Sequence, residues 1–240
     1  MKIIYFCLLN IVLGILNPFI SIQPAGLTGF YTLGICSYMK ENYDLSQYNV
    51  MGSSSGAWNA LYLVNKDEEF IPKLLNQDFC HYSENIHELQ QNMKYYLLNT
   101  YIIEDFDLDR LYICTSSYHK VYFKLRVHHY FKDLEDVIDC CIASSHIPLI
   151  TSYYFWNTYK DKTTFDGGLF NLPDFIYSEN IEHKIILNPY IFESKLFKNF
   201  LSNMIKYDIT NLTSFYKLGL KDSIKNKEVL DLYLNKDINI

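Results

Sequence analysis

Short apolar runs alternate with longer stretches in which apolar residues recur every three or four positions, and the alternation continues almost to the carboxyl end. It predicts strands at 19–23, 48–51, 111–115, 121–127 and 184–187, and helices at 29–40, 56–64, 84–100 and 133–144. The strand at 121–127 sets Phe123, Leu125 and Val127 on one face and Lys124 and Arg126 on the other. The helix at 133–144 opens on Asp133, Glu135 and Asp136, which suit the positive end of its dipole. The helix at 84–100 reads as peripheral. Beyond Phe192 the pattern is helical in flavour, and from Lys221 it is polar enough to fray. Strands and helices in alternation predict an α/β layered fold, with a mainly parallel central sheet and helices on both faces.

The first residues break this rhythm. Lys2 precedes an apolar run from 3 to 16, interrupted only by Asn10 and closed by Pro18. Residues 1–17 therefore read as a leader, and three readings stay open: a cleaved secretory signal, a membrane anchor, or a buried first element. The first two suggest a membrane-associated or secretory-pathway protein, the third a cytoplasmic one. No repeat or Pro/Gly-rich linker divides the remainder, so residues 18–240 are expected to form a single domain, long enough to bury a core without disulfides.

Composition narrows the functional classes. The net charge is −6 and no like-charged run occurs, so no nucleic-acid partner is expected. Cys7, Cys36, Cys80, Cys114, Cys140 and Cys141 lack paired metal-ligand spacing and lie mostly in apolar runs, so they are expected as buried thiols. No metal or other cofactor is expected.

Candidate chemistry begins at Gly52-Ser53-Ser54-Ser55-Gly56, where a strand-like run gives way to a helix-like one. A serine at such a turn, with glycines two positions either side, fits a nucleophile elbow; the following helix would present its free N–H groups to an oxyanion. The same five residues also fit an ordinary tight turn. A serine nucleophile needs a base, and Asp166-Gly167-Gly168 offers a carboxylate in a loop able to approach closely, although Asp-Gly is equally a hairpin signal. Pro24-Ala25-Gly26-Leu27-Thr28-Gly29, between the first strand and helix, fits a loop of oxyanion donors. All three loops fall at the carboxyl ends of strands, where open α/β sheets bind ligands.

These blocks, in this order and together with Ala143-Ser144-Ser145-His146-Ile147-Pro148 and Asn171-Leu172-Pro173, resemble the patatin-like phospholipase family across residues 19–173. Gly26 to Gly34 and Phe165 to Pro173 look most like its animal lipid-droplet lipase branch. The resemblance implies a three-layer α/β fold and a lipid acyl hydrolase of phospholipase A or acylglycerol lipase type, acting on phospholipid or acylglycerol at a membrane or droplet surface. It implies Ser54 as nucleophile and Asp166 as base in a dyad without histidine. It implies Ala25, Gly26 and Leu27 as the oxyanion hole, with Gly29, Gly52, Gly56, Gly167 and Gly168 as motif glycines.

The chain departs from the family where Pro24 has no N–H to give, Ala25 resists positive φ, and Thr28 replaces a basic residue common in plant and bacterial members. A catalytically impaired, lipid-binding relative is therefore the alternative. His146 and His183 are rival bases, His183 being the one histidine after Asp166 and lying in a surface-like stretch.

Overall fold

The structure is a computed structural model that describes residues 17–75, 83–119, 122–168, 183–192 and 208–234. In chain order these form β1 (Phe19–Ile22), a 3-10 turn (Gly26–Thr28), α1 (Gly29–Asn42), β2 (Asn49–Ser53), α2 (Ser55–Val64), α3 (Phe70–Leu75) and α4 (Ile86–Thr100). There follow β3 (Leu111–His119), β4 (Tyr122–His128), α5 (Leu134–Ser144), β5 (Asn157–Tyr159), β6 (Lys162–Phe165), β7 (His183–Leu187), α6 (Ile209–Lys225) and α7 (Lys227–Leu234). The architecture is mixed α/β, with a mostly parallel central sheet and helices around it.

Strands β3, β2, β1 and β7 are parallel neighbours in that order. β1 and β2, at the centre, are buried along their whole length on both faces, as central parallel strands must be. On one face Ile20, Ile22, Val50 and Ile113 join the main core with α1, α2 and α5; on the other, Phe19, Met51 and Cys114 form a smaller buried cluster. Antiparallel pairing is confined to one side, where β3 meets β4 and β6, and β6 meets β5.

The pairing of β3 positions everything that follows. β4 covers one edge of β3 from Ile113 to His119, so β2 and β6 share the opposite edge end to end. Ser53 of β2 lies beside Cys114, and Phe165 of β6, running the other way, lies beside Ser116. The residues that follow these two strand ends are Ser54 and Asp166, and both leave the sheet at Thr115.

Several expectations change. β3 runs four residues past its expected end because β4 and β6 pair its second half. β5 and α3 were not expected, and the β5–β6 hairpin turns on Lys160-Asp161, both at positive φ, with Asp166-Gly167 following its second strand. The carboxyl end does not fray at Lys221: Leu230 and Leu234, one helical turn apart, are buried in the core, and Tyr43 and Tyr48 hydrogen-bond Asp231 and the Leu234 carbonyl. Cys36, Cys114, Cys140 and Cys141 are buried free thiols, while Cys7 and Cys80 lie outside the described residues. Residues 1–16 of the 1–17 leader also lie outside them; no helix among the described residues is long and apolar enough to cross a membrane.

His128 of β4 fastens β4 to the central strand, its Nε2 lying 2.8 Å from Thr115 Oγ1. Burial pushes its pKa down from 6.5 to about 4, with the nearby Lys160 and Arg126 charges adding to the effect. The folded state thus binds this proton less readily than the unfolded state. The stabilisation is complete above pH 6.5 and is lost as pH falls toward 4, by an amount on the order of 2–3 kcal/mol. Urea titrations at pH 7 and pH 4.5 should show His128→Gln losing less stability than wild type over this range, and equal losses would remove His128 as a contributor.

Candidate active site

Ser54 stands between β2 and α2 with φ 57° and ψ −129°, a conformation that non-glycine residues rarely adopt and that costs about 1–3 kcal/mol. Packing around the turn enforces it. A β-carbon on Gly52 would collide with the backbone of Gly56, and one on Gly56 would collide with the Ile22 carbonyl of β1. The two glycines therefore let strand, helix and neighbouring strand close to backbone contact, and the chain can turn between them only sharply. Ser54 is buried at the amino end of α2, where helix N–H groups lack carbonyl partners.

One side chain holds this turn to the sheet. The Ser54 N–H donates to Ser144 Oγ at 2.9 Å, and Ser144 Oγ donates to the Cys114 carbonyl of β3 at 2.6 Å. The backbone around Ser144, at the end of α5, also receives the aspartate loop. Gly167 N–H donates to the Ser144 carbonyl at 2.9 Å, and Asp166 N–H to the His146 carbonyl at 2.7 Å. Ser54 and the Asp166 loop thus hang from the same residue. Asp166 is buried, and its Oδ1 accepts from Gly168 N–H at 2.8 Å. A β-carbon on Gly167 would strike the Cys114 carbonyl and Ser53 Oγ, so glycine there lets the aspartate loop reach the elbow. Gly168 lies against Pro24, joining the aspartate loop to the third loop.

That third loop bears on one expectation, the Ala25 N–H as an oxyanion donor, and agrees with another, that Ala25 avoids positive φ. The positive φ falls on Gly26 (54°), whereas Ala25 sits unstrained at −144°. The Ala25 N–H is not available to an oxyanion here, because it donates to Ser55 Oγ at 3.1 Å. Gly26 and Leu27, the first two residues of the 3-10 turn, keep amides with no carbonyl behind them in the turn. Thr28 turns its hydroxyl back onto the Ala25 carbonyl at 2.6 Å, and Gly29 admits Ser55 beside α1.

The rival histidines are placed differently. His183 begins β7 opposite Phe19, the first residue of β1, so its backbone lies at the sheet edge away from Ser54. His146 is buried near the loops, but its ring lies beside Phe165 and bonds the Phe155 backbone; its Nε2 has no partner among the described residues. Burial holds its pKa below the ordinary value. Leu169 to Pro173 lie outside the described residues, and among those described no His, Cys, Asp or Glu group is arranged to hold a metal.

Behind Ser54 opens an apolar cavity of about 130 Å³. It follows α2 past Trp58 to Leu61 and Tyr62, about 12 Å at the helical rise. The opposite wall is the stripe Ile86, Leu89, Gln90, Met93 and Leu97 of α4, which thus lines the cavity rather than lying at the periphery. Sequence reasoning missed this wall, Ser144 as the tie and Ser55 as the partner of Ala25. The block Ala143 to Pro148 was the available signal for Ser144.

The chain matches the patatin-like phospholipase family over residues 20–175 of its 240, and it belongs to that family. The family comprises lipid acyl hydrolases acting on lipid substrates. No curated protein matches the chain in a sequence search.

Ser144→Ala should leave the Ser54 N–H and the Cys114 carbonyl unpaired in the interior, at about 1–3 kcal/mol. Chemical denaturation checks this, and a loss under ~0.3 kcal/mol would show that Ser144 does not tie the elbow.

Proposed function

We propose that the chain hydrolyses carboxylic esters of phospholipid or acylglycerol through a Ser54–Asp166 dyad and an acyl-enzyme. The observation that carries this is the shared suspension of the strained Ser54 turn and the Asp166 loop from Ser144, at the mouth of an apolar cavity. The buried Asp166 takes the Ser54 hydroxyl proton as Oγ attacks the ester carbonyl. Charge developing on the carbonyl oxygen meets the Gly26 and Leu27 amides, with the positive end of α2 adding to the field. Asp166 returns the proton to the leaving alcohol, then takes one from the water that releases the acid. The acyl chain occupies the cavity along α2. These steps ask for no metal or other cofactor. In this reading residues 18–240 act as one domain behind the 1–17 leader, and the substrate is met at a membrane or droplet surface.

A second reading has its own observation. Pro24 offers no N–H and the Ala25 amide is engaged by Ser55, so the loop has fewer donors to give than a run of glycines would. A lipid-binding relative with lost turnover would keep the cavity and lack the chemistry.

A fluorophosphonate probe separates the two. The hydrolase should be labelled on Ser54 and lose the label in Ser54→Ala; absence of both label and short-chain ester hydrolysis in wild type would favour the lipid-binding reading. Asp166→Asn keeps the oxygen that accepts from Gly168. It should fold normally while turnover falls roughly 10³-fold or more. Full activity in that variant would remove Asp166 as base and direct attention to His146.

A further inference from the structure

The segment joining α5 to β5 carries no Asp, Glu, Lys or Arg between Asp139 and Lys160. In its middle, Leu149 (71% exposed), Tyr153 (70%), Tyr154 (73%), Phe155 (62%) and Trp156 (60%) are each exposed within eight consecutive residues. At roughly 200 Å² per aromatic side chain, the four rings alone expose on the order of 500 Å². That equals the largest apolar patch of an ordinary monomer, and such patches are commonly functional.

The loop is not slack. Thr151, buried, pins its base by donating to the Ser145 carbonyl at 2.8 Å and accepting from Ile147 N–H at 2.9 Å. Leu149 is held at φ 61°, a conformation that leucine resists, and is exposed there. The fold thus presents an apolar side chain to solvent at a cost in backbone strain.

The inner side of the same loop is the cavity wall. Ile147, Ile150 and Thr151 line the cavity that begins at Ser54, and the Tyr153 ring packs edge-on to His87, 5.0 Å away, next to Ile86 of the opposite wall. One short segment thus lines the cavity with Ile147, Ile150 and Thr151 and, within the next five residues, exposes four aromatic side chains. Tyrosine and tryptophan combine an apolar ring with a polar tip and concentrate at the headgroup level of membranes. Phe155 and Trp156 border a groove with Arg126, Lys162 and Asp161, and cationic side chains at the headgroup level reach lipid phosphates.

We propose that residues 149–156 form a wedge that inserts into the headgroup layer of a phospholipid surface and presses the cavity mouth against it. The purpose rests on the hydrolase reading, since an acyl chain would pass from lipid to cavity without crossing water; the docking itself needs no catalysis. In sequence the wedge is also separate from the 1–17 leader.

The test uses the full chain as Ser54→Ala with Trp58→Phe, which leaves Trp156 the sole tryptophan. Vesicles of phosphatidylcholine and phosphatidylserine, with or without brominated acyl chains, serve as probe. The Trp156 emission should shift to the blue and be quenched by bromine near the headgroups. Quenching localises the wedge even where the leader alone holds the chain on vesicles. In the chain retaining Ser54, Tyr154→Ser with Trp156→Ser should lower hydrolysis of vesicle lipid at least tenfold and change hydrolysis of a soluble short-chain ester less than twofold. Ile102→Ser, an exposed apolar change elsewhere, should alter neither. Unquenched Trp156 overturns the proposal, as does a concentration-dependent dimer abolished by the double substitution, which would assign the face to a second copy. Quenched Trp156 in a chain that hydrolyses no ester would keep the wedge and sink the hydrolase reading.

Discussion

A single edge of β3 carries the candidate site. Because β4 takes the other edge from Ile113 to His119, β2 and β6 meet end to end on this one, and the residues leaving them, Ser54 and Asp166, start from neighbouring positions. Ser144 fastens both departures, its hydroxyl bridging Ser54 N–H to the Cys114 carbonyl and its own carbonyl receiving Gly167 N–H. Buried hydrogen bonds of this kind contribute about 1 kcal/mol each but cost more when one partner is lost. They are of the size needed to hold the unfavourable Ser54 conformation.

That constraint relates the three loops to one another. Gly168 against Pro24 and Ser55 Oγ against the Ala25 amide bring the first loop onto the elbow from two sides. Pro24, a departure from the family's glycine run, has a packing role here. Ala25 trades a candidate oxyanion donor for a fixed loop. The positive φ on Gly26 turns the remaining amides of the 3-10 turn, and the cavity between α2 and α4 opens beside them.

Much of this was legible beforehand, for physical reasons that can be named. The elbow is local: glycine spacing, a strand pattern before it and a helix pattern after it lie within some fifteen residues. The parallel centre of the sheet follows from alternating runs. Asp166 was different, since Asp-Gly fits a hairpin equally well and only the ordered resemblance selected it. The α4 stripe of Ile86, Leu89, Met93 and Leu97 has the same periodicity whether it faces a core or a cavity, so the cavity was invisible. The hairpin at Lys160-Asp161 lacks the usual Asn-Gly signal, and the partner that engages the Ala25 amide, Ser55, lies thirty positions away. Two buried leucines, Leu230 and Leu234, were enough to hold a carboxyl-terminal helix that composition marked as fraying.

The central claim is that the suspended serine is the nucleophile. Rapid quenching of the chain with a slowly hydrolysed long-chain ester, followed by intact mass and peptide mapping, tests it most directly. One acyl group per chain is expected, on the peptide containing Ser54. Ester turnover without a Ser54 adduct, or with the acyl group on another residue, would contradict it.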